Sequence, residues 1–408
     1  MALYADPTHD GRVQREAGTL AAEGIDVTIL ALQGRQPPAM PPIPGVQVIA
    51  KAPTASRVVP GTKSPFHPGD PGTLPPVRGG RLGWALGYAA NLRSWGRWAI
   101  RAAGAPDAWH AHDFTAILAL WLAGFPRRAP LIYDSHELYM ELGSAARMPA
   151  PMRRGLAAIE GRMARRALGV ITVNEAVAAE LGQRYGVDPV VVLNCPPFAE
   201  VDRPGRLRTA LGLAGRQIIL YHGAVSEGRG IELVVDALRH LPPSVAFVVL
   251  GNGALVPWLG EQQERPELAG RLLLHPAVPL AELLPWIVDA DVGLSLIAPT
   301  EQNFVLSTPN KLFECITAGV PVLASDFPEM RRIVMGGGIG AVCDPTDPLA
   351  VAEAIGRLLG APEELAAMRA RARSIARSTY NWEAQAANLV DLYRRVLPGL
   401  WSRSTRPA

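Results

Sequence analysis

The chain has 408 residues, 49% of them hydrophobic and 19% charged, with a net charge of +3. That describes a soluble, globular protein of two or three domains, each large enough for its own core, and the charge is too small to argue for a nucleic-acid partner. No apolar run approaches the roughly 18 residues a membrane-spanning helix needs, and three scattered cysteines, Cys195, Cys315 and Cys343, form neither a disulfide framework nor a zinc site.

The start, Met1 to Asp6, carries no secretion signal. Together with the cysteines, which read as buried thiols in a reducing compartment, it predicts a cytoplasmic protein. In chain order, short apolar runs alternate with amphipathic helical stretches, the pattern of parallel sheets covered by helices. A brief strand is expected near Ala2 to Tyr4, so short that residues look to be missing upstream. A helix follows from Arg12 to Glu23 and a strand from Asp26 to Ala31. Further strands are expected at Val46 to Ala50, Ala108 to Ala111, Leu131 to Asp134, Gly169 to Val173 and Val190 to Leu193.

Residues 52 to 81, rich in Pro, Gly and Arg, are too irregular for an ordinary connection and read as mobile in the free protein. The helix after them carries Trp84, Tyr88, Trp95 and Trp98 alongside Arg93, Arg97 and Arg101. Such a helix either packs its aromatics on a sheet with the arginines solvated, or lies peripherally on an anionic membrane face. The apolar run from Ala116 to Phe125 reads as a buried helix.

Asn194-Cys195-Pro196-Pro197-Phe198 is a stiff, extended connection and marks the domain boundary. The domains are then residues 1–197 and 198–378, with a final helix over 379–408. Beyond the boundary the plan repeats, with strands expected at Gln217 to His222, Ala246 to Leu250, Arg271 to Leu274, Val292 to Ile297 and Pro321 to Ala324. Two doubly wound domains leave a cleft between them, and ligands of such sheets bind beyond the carboxyl ends of the strands.

The segment from Ser307 to Glu314 follows such a strand end. Thr308 is expected to cap a helix with Pro309 in its first position, and the helix ends at Gly319. The N–H groups of Asn310 and Lys311 and the positive end of the helix dipole favour an anion, and Glu314, three residues after Lys311, can present to the same ligand. Lys occurs only at positions 51, 63 and 311 among 40 basic residues. A chain that otherwise uses Arg has a compact point charge here, which is not equivalent to a planar guanidinium at a phosphate. Lys311 can equally be a solvated residue on a surface helix, and these features alone leave both readings open.

Pro309-Asn310-Lys311-Leu312-Phe313-Glu314, continuing through Ala318-Gly319-Val320-Pro321-Val322 to Ser325-Asp326, resembles the donor-site motif of retaining glycosyltransferases of family 4. Asp10-Gly11-Arg12-Val13 is similar to the opening helix of that family. His110-Ala111-His112-Asp113 and Tyr133-Asp134-Ser135-His136-Glu137 are similar to two of its strand ends. Gly223 through Arg229-Gly230 resembles its phosphate loop, and Tyr380-Asn381-Trp382-Glu383 the start of the helix that returns to the first domain. Six such matches in order cover essentially the whole chain. The resemblance implies an α/β chain of GT-B fold, with two Rossmann-like doubly wound domains facing across a cleft. It also implies a cytoplasmic enzyme without metal or cofactor, whose partners are a nucleoside-diphosphate sugar and a hydroxyl acceptor.

By the same resemblance, the donor site comprises Gly223, Ser226, Arg229, Ser307, Asn310, Lys311 and Glu314. Lys311 and Arg229 hold the diphosphate, Glu314 accepts from the ribose hydroxyls, and the catalytic residues are His136, Arg229 and Lys311. The acceptor side comprises Gly11, Arg12, His112 and His136. The acceptor is a sugar, a lipid-linked sugar or a small molecule, in cell-surface polysaccharide, glycolipid or natural-product glycoside synthesis. The commoner motif has a second glutamate where this chain has Leu306, and an arginine where it has Ala224. That leaves the sugar to main-chain groups of residues 304–307 and puts more weight on Arg229 and Lys311.

Other signals are weaker. Asp289-Ala290-Asp291 has a metal-binding form but stands between a helix and a strand, so Asp291 is read as a strand start. His110 and His112 have ligand-like spacing, yet one of two alternate strand residues in such a sheet would be buried. Gly251-Asn252-Gly253 lacks the third glycine of a dinucleotide site. A sugar-nucleotide epimerase of the same fold, or a nucleotide-sugar-binding protein without activity, are the competing functions.

Overall fold

The computed structural model describes residues 1–33, 42–52, 80–126, 128–203 and 205–401. The Pro- and Gly-rich stretch expected over 52 to 81 falls almost wholly on residues 53–79, outside the described residues. The chain forms two compact units, residues 1–192 with 386–408, and residues 193–385.

Unit 1 is built on seven parallel strands: β1 Ala2–Leu3, β2 Val27–Leu32, β3 Val46–Lys51, β4 Trp109–His112, β5 Leu131–Ser135, β6 Gly169–Thr172 and β7 Val190–Val191. Their order is β3-β2-β1-β4-β5-β6-β7, so the direction of winding reverses between β1 and β4. Both β4 and β5 are buried along their whole length, as strands covered on two faces must be.

Three helices of this unit bear on function: α1 Gly11–Ala22, α2 Gly80–Ala103 and α3 Asp113–Leu122. Tyr88 and Trp95 of α2 both meet the ring of Tyr4. Trp95 is fully buried, its ring edge-on to Tyr4 at 5.4 Å, and Arg93, Arg97 and Arg101 are exposed. Gly96 lets α2 and α3 approach closely, since a Cβ there would lie 2.2 Å from the Ala119 carbonyl oxygen. Residues Phe114 to Leu120 of α3 are buried, as its unbroken apolar run predicts.

Unit 2 repeats the architecture with β8 Gln217–His222, β9 Val245–Leu250, β10 Leu272–His275, β11 Val292–Ser295, β12 Val322–Ser325 and β13 Gly340–Cys343. Their order is β10-β9-β8-β11-β12-β13, all parallel, with the reversal between β8 and β11. Its core gathers Ile219, Phe247, Val249, Leu294 and Leu323 from the sheet and Val351 and Ile355 from a covering helix. Each large side chain so buried contributes about 1.5–3 kcal/mol.

Strand β13 is absent from the sequence reading, because the glycines before it look like loop. Gly340 is needed for tight pairing: a Cβ there would lie 1.9 Å from the Val322 carbonyl oxygen. Helix α4, Asn310–Thr317, leads to Gly319 in the left-handed region, where the expected stop occurs. Helix α5, Trp382–Val396, carries the chain back into unit 1. Among the described residues no helix is long and apolar enough to cross a membrane.

Candidate functional site

In each unit the candidate residues cluster at the carboxyl ends of the strands flanking the reversal, where doubly wound sheets take ligands. In unit 2, β8 ends at His222 and turns at Gly223, whose φ of 110° suits glycine. The turn packs against the one after β9: a Cβ on Gly251 would lie 1.9 Å from the Gly223 carbonyl oxygen, and Val225 N–H donates to the Asn252 carbonyl at 3.0 Å. The loop then reaches Arg229 and closes at Gly230, where a Cβ would meet Leu296 at 2.5 Å.

Helix α4 starts one residue later than the sequence suggests. Pro309 has an extended ψ of 144° and is the cap itself, so it is not the first helical residue. Asn310 and Lys311 are its first two residues. Lys311 is buried, and its Nζ lies 3.6 Å from the centre of the Tyr221 ring. Burial, and then the charge of Arg229, lower its pKa to about 7, against the opposing pull of Glu314 and Cys315. Arg229 is half-buried and lies over the Phe304 ring at 5.3 Å. Among the described residues neither Lys311 nor Arg229 meets a carboxylate at ion-pair distance.

Glu314 accepts a hydrogen bond from His222 Nε2 at 2.8 Å. His222 is buried and fixes one carboxylate oxygen. Neither His222 nor Tyr221 figures among the site residues of the sequence reading. Both lie in an apolar strand, where a polar residue beside the phosphate-loop glycine is the signal that could have found them. Ser307 donates to the Phe304 carbonyl at 2.9 Å, and Asn310 Oδ1 accepts from Asn194 Nδ2 at 2.8 Å. Ser226 is half-buried in the loop and Leu306 half-buried beside Ser307. The aspartates of the D-x-D sequence are engaged elsewhere: Asp289 accepts from Gly205 and Leu207 N–H, and Asp291 pairs with Arg208 at 2.8 Å.

In unit 1 the centre is Asp134, fully buried at the end of β5. Arg12 Nε and Nη2 donate to its two oxygens at 2.8 Å each, and His136 Nε2 lies 2.8 Å and His112 Nδ1 3.3 Å from Oδ2. Burial opposes ionisation of Asp134, but Arg12 and His136 outweigh it and hold the carboxyl well below the usual range. Arg12 also donates through Nη1 to the Val192 carbonyl at 2.6 Å. Arg12 and His112, expected on the acceptor side, both lie against Asp134. Both are buried and committed to Asp134, because a buried carboxylate needs such partners. Gly11 and His136 are half-buried, the His136 side chain being 15% exposed.

His110 and His112 are both buried, not one of the two, with rings stacked at 4.2 Å. His110 Nδ1 lies 2.8 Å from the Tyr393 hydroxyl and its Nε2 3.5 Å from Glu16 Oε2. Burial and then the charge of Asp134 push Glu16 up to about 8, against Arg12. The donor atoms of Glu16, His110, His112 and Asp134 lie within 4.8 Å of one another, a spacing that could suit a metal ion. Arg12 already brings its cation to both carboxylates, at 3.0 Å from Glu16 and 2.8 Å from Asp134, so an added ion would face a guanidinium. The group is better read as a charge network.

Residues 11–197 match the family described as "Glycosyl transferase 4-like domain", and residues 216–361 that described as "Glycosyl transferases group 1". A D-inositol 3-phosphate glycosyltransferase of Xylanimonas cellulosilytica is 29% identical over 398 residues, covering 92% of this chain and 89% of its own. Among solved structures, Anabaena HepE in complex with UDP aligns at a TM-score of 0.70 and 16% identity, covering 98% of this chain and 99% of its own. Sucrose-phosphate synthase of Thermosynechococcus elongatus aligns at 0.69 and 18% identity, covering 98% and 99%. At that identity the two structures speak to the fold.

Proposed function

Since the chain belongs to the family-4 type of glycosyltransferases and has the GT-B fold, we propose that it moves a sugar from a nucleoside diphosphate to an acceptor hydroxyl with retention and without a metal. The supporting observation is the pair of cations Lys311 and Arg229 at the reversal of unit 2, neither of which makes an ion pair with a carboxylate among the described residues. Two close positive charges raise each other's energy, and a diphosphate relieves both. They take the place a divalent cation would otherwise fill on the leaving group.

In the proposed reaction the bond from the anomeric carbon to the diphosphate oxygen breaks and the acceptor oxygen bonds to that carbon on the same face. The acceptor proton passes to the departing phosphate, whose second charge Lys311 and Arg229 stabilise. Glu314, held by His222, accepts from the vicinal ribose hydroxyls. N–H groups of the loop from Gly223 through Ser226 to Gly230, with Asn310 and Lys311 at the start of α4, complete the diphosphate site. Ser307 and its neighbours hold the sugar. Gly11 and His136 serve the acceptor side, with Arg12 and His112 behind them.

The donors to try first are UDP-glucose, because HepE has been captured with it, and GDP-mannose, because a mannosyltransferase similar over 48% of the chain uses it. D-inositol 3-phosphate is the first acceptor to try, from the name of the relative that matches nearly end to end. Release of nucleoside diphosphate only when an acceptor is present supports transfer. An isomerised sugar nucleotide would identify an epimerase, and tight binding without turnover an inactive binding protein.

A peripheral membrane contact is part of this reading. Arg93, Arg97 and Arg101 recur every four residues on α2, and with Lys51 and Trp98 they line a groove of about 770 Å³. Three guanidinium groups spaced along a helix suit an array of anionic headgroups.

A further inference from the structure

His136 lies between two carboxylates, and both of its ring nitrogens face one. Nε2 is 2.8 Å from Asp134 Oδ2 and Nδ1 is 3.3 Å from Asp113 Oδ2, while the His136 main-chain N–H donates to Asp113 Oδ1 at 3.2 Å. A neutral imidazole has one N–H and one lone pair, so it satisfies one carboxylate and turns its lone pair on the other. An imidazolium donates to both. Asp113 reaches this position with a φ of 63°, the one non-glycine residue in the left-handed region among the described residues. A strained residue held against a ring is a device the surrounding structure has to enforce.

We propose that Asp113 is a positioning residue which, together with Asp134, clamps His136 as an oriented imidazolium, so that His136 serves the reaction as a fixed positive charge and not as a base. The inference rests on the transferase reading for its purpose, but its geometry stands without it. A ring hydrogen bond to a substrate hydroxyl requires one carboxylate to give way, whereas a fixed cation acts on developing negative charge without moving.

The groups facing the ring come from four elements. Asp113 opens α3, Asp134 ends β5, and His112 at the end of β4 lies 3.4 Å from Nε2. Arg12 of α1 stands behind Asp134, with Glu16 beyond it. Burial disfavours a charge on His136, but Asp113 and Asp134 outweigh it and raise its pKa to about 10. Burial lowers His112, which keeps the neighbouring ring neutral.

The test is NMR of the full-length protein with labelled histidine, the His136 signals being identified by their loss in His136→Gln. Both ring nitrogens should be protonated at pH 8, and the ring should titrate only near pH 10. Asp113→Asn should lower that midpoint by about 1 pH unit or more, and Asp113→Glu should restore it. A singly protonated ring at pH 8 in the unaltered protein overturns the proposal, as does an unmoved midpoint in Asp113→Asn. Should that variant not fold, the nitrogen shifts of the unaltered protein decide. No donor or acceptor enters the measurement, so an intact clamp without any sugar transfer counts against the proposed function alone. Transfer without the clamp counts against the inference alone.

Discussion

The two units bring charged side chains to the same place in the same architecture and treat them in opposite ways. In unit 1, Arg12, Asp134, His136 and Asp113 close on one another, and nearly every charge is answered from within. In unit 2, Lys311 and Arg229 are cations that repel, softened by the nearby charge of Glu314 and by the faces of Tyr221 and Phe304. A balanced network supports the fold and orients a group. An unbalanced one is a cost to the unit that a ligand of opposite sign removes. Substitution should therefore damage stability in unit 1 and turnover in unit 2.

The largest effect is expected from Asp134→Asn, which breaks a buried ion pair and leaves the Arg12 guanidinium with Glu16 as its remaining carboxylate partner. A loss of about 3–5 kcal/mol in denaturant unfolding would agree with this, and an unchanged midpoint would put the two units on the same footing. Next, Lys311→Ala should lower kcat by about 100- to 1000-fold, the scale of removing one donor aimed at developing charge. Its thermal midpoint should hold or rise, because the buried cation and its repulsion with Arg229 are gone. A Lys311→Ala protein that unfolds early, or turns over normally, breaks the contrast.

A smaller effect concerns protons. Lys311 has a folded pKa of about 7, below its ordinary 10.5, so keeping it charged destabilises the free protein below neutrality, and this is relieved as pH rises through that window. A bound diphosphate restores the charge. Binding should then take up close to one proton at pH 8 and only about a quarter of one at pH 6.5. Calorimetry in buffers of different ionisation enthalpy reads that number directly. Glu314→Gln should weaken donor binding by about tenfold, as expected from losing one charged hydrogen bond, with little change in melting temperature. The smallest effect is at the surface: changing Arg93, Arg97 and Arg101 to Gln should abolish cosedimentation with anionic vesicles while leaving transfer to a soluble acceptor intact.

Much of the architecture was legible because strands buried on both faces are written as apolar runs, and the runs from Gln217 to His222 and Leu131 to Asp134 are unmistakable. Strand β13 was not, since its first residue is a glycine chosen for close approach to Val322. Helix α4 of unit 2 was visible in the Pro-Asn-Lys-Leu-Phe-Glu segment, but its start was misjudged at Pro309, whose extended backbone makes it the cap. The support behind each site was hidden, because it depends on residues far apart in sequence. Arg12 meets Asp134 and His222 meets Glu314 only once the strands are side by side. An arginine four residues before a glutamate in α1, or an aspartate inside an apolar strand, is the only trace such pairs leave.

Helix α5 returns the chain to unit 1, and unit 2 is one uninterrupted stretch whose two ends are tied together. Leu193 N–H donates to Gln385 Oε1 at 3.1 Å, Trp382 N–H to the Pro196 carbonyl at 2.9 Å and Phe198 N–H to Glu383 Oε2 at 3.0 Å. Unit 2 is thus a cassette with its own clasp. A gene fragment for residues 193–385 should yield a module that folds and binds nucleotide by itself, ready for grafting. Unit 1, assembled from both ends of the gene, should need a new linker before it can be expressed alone.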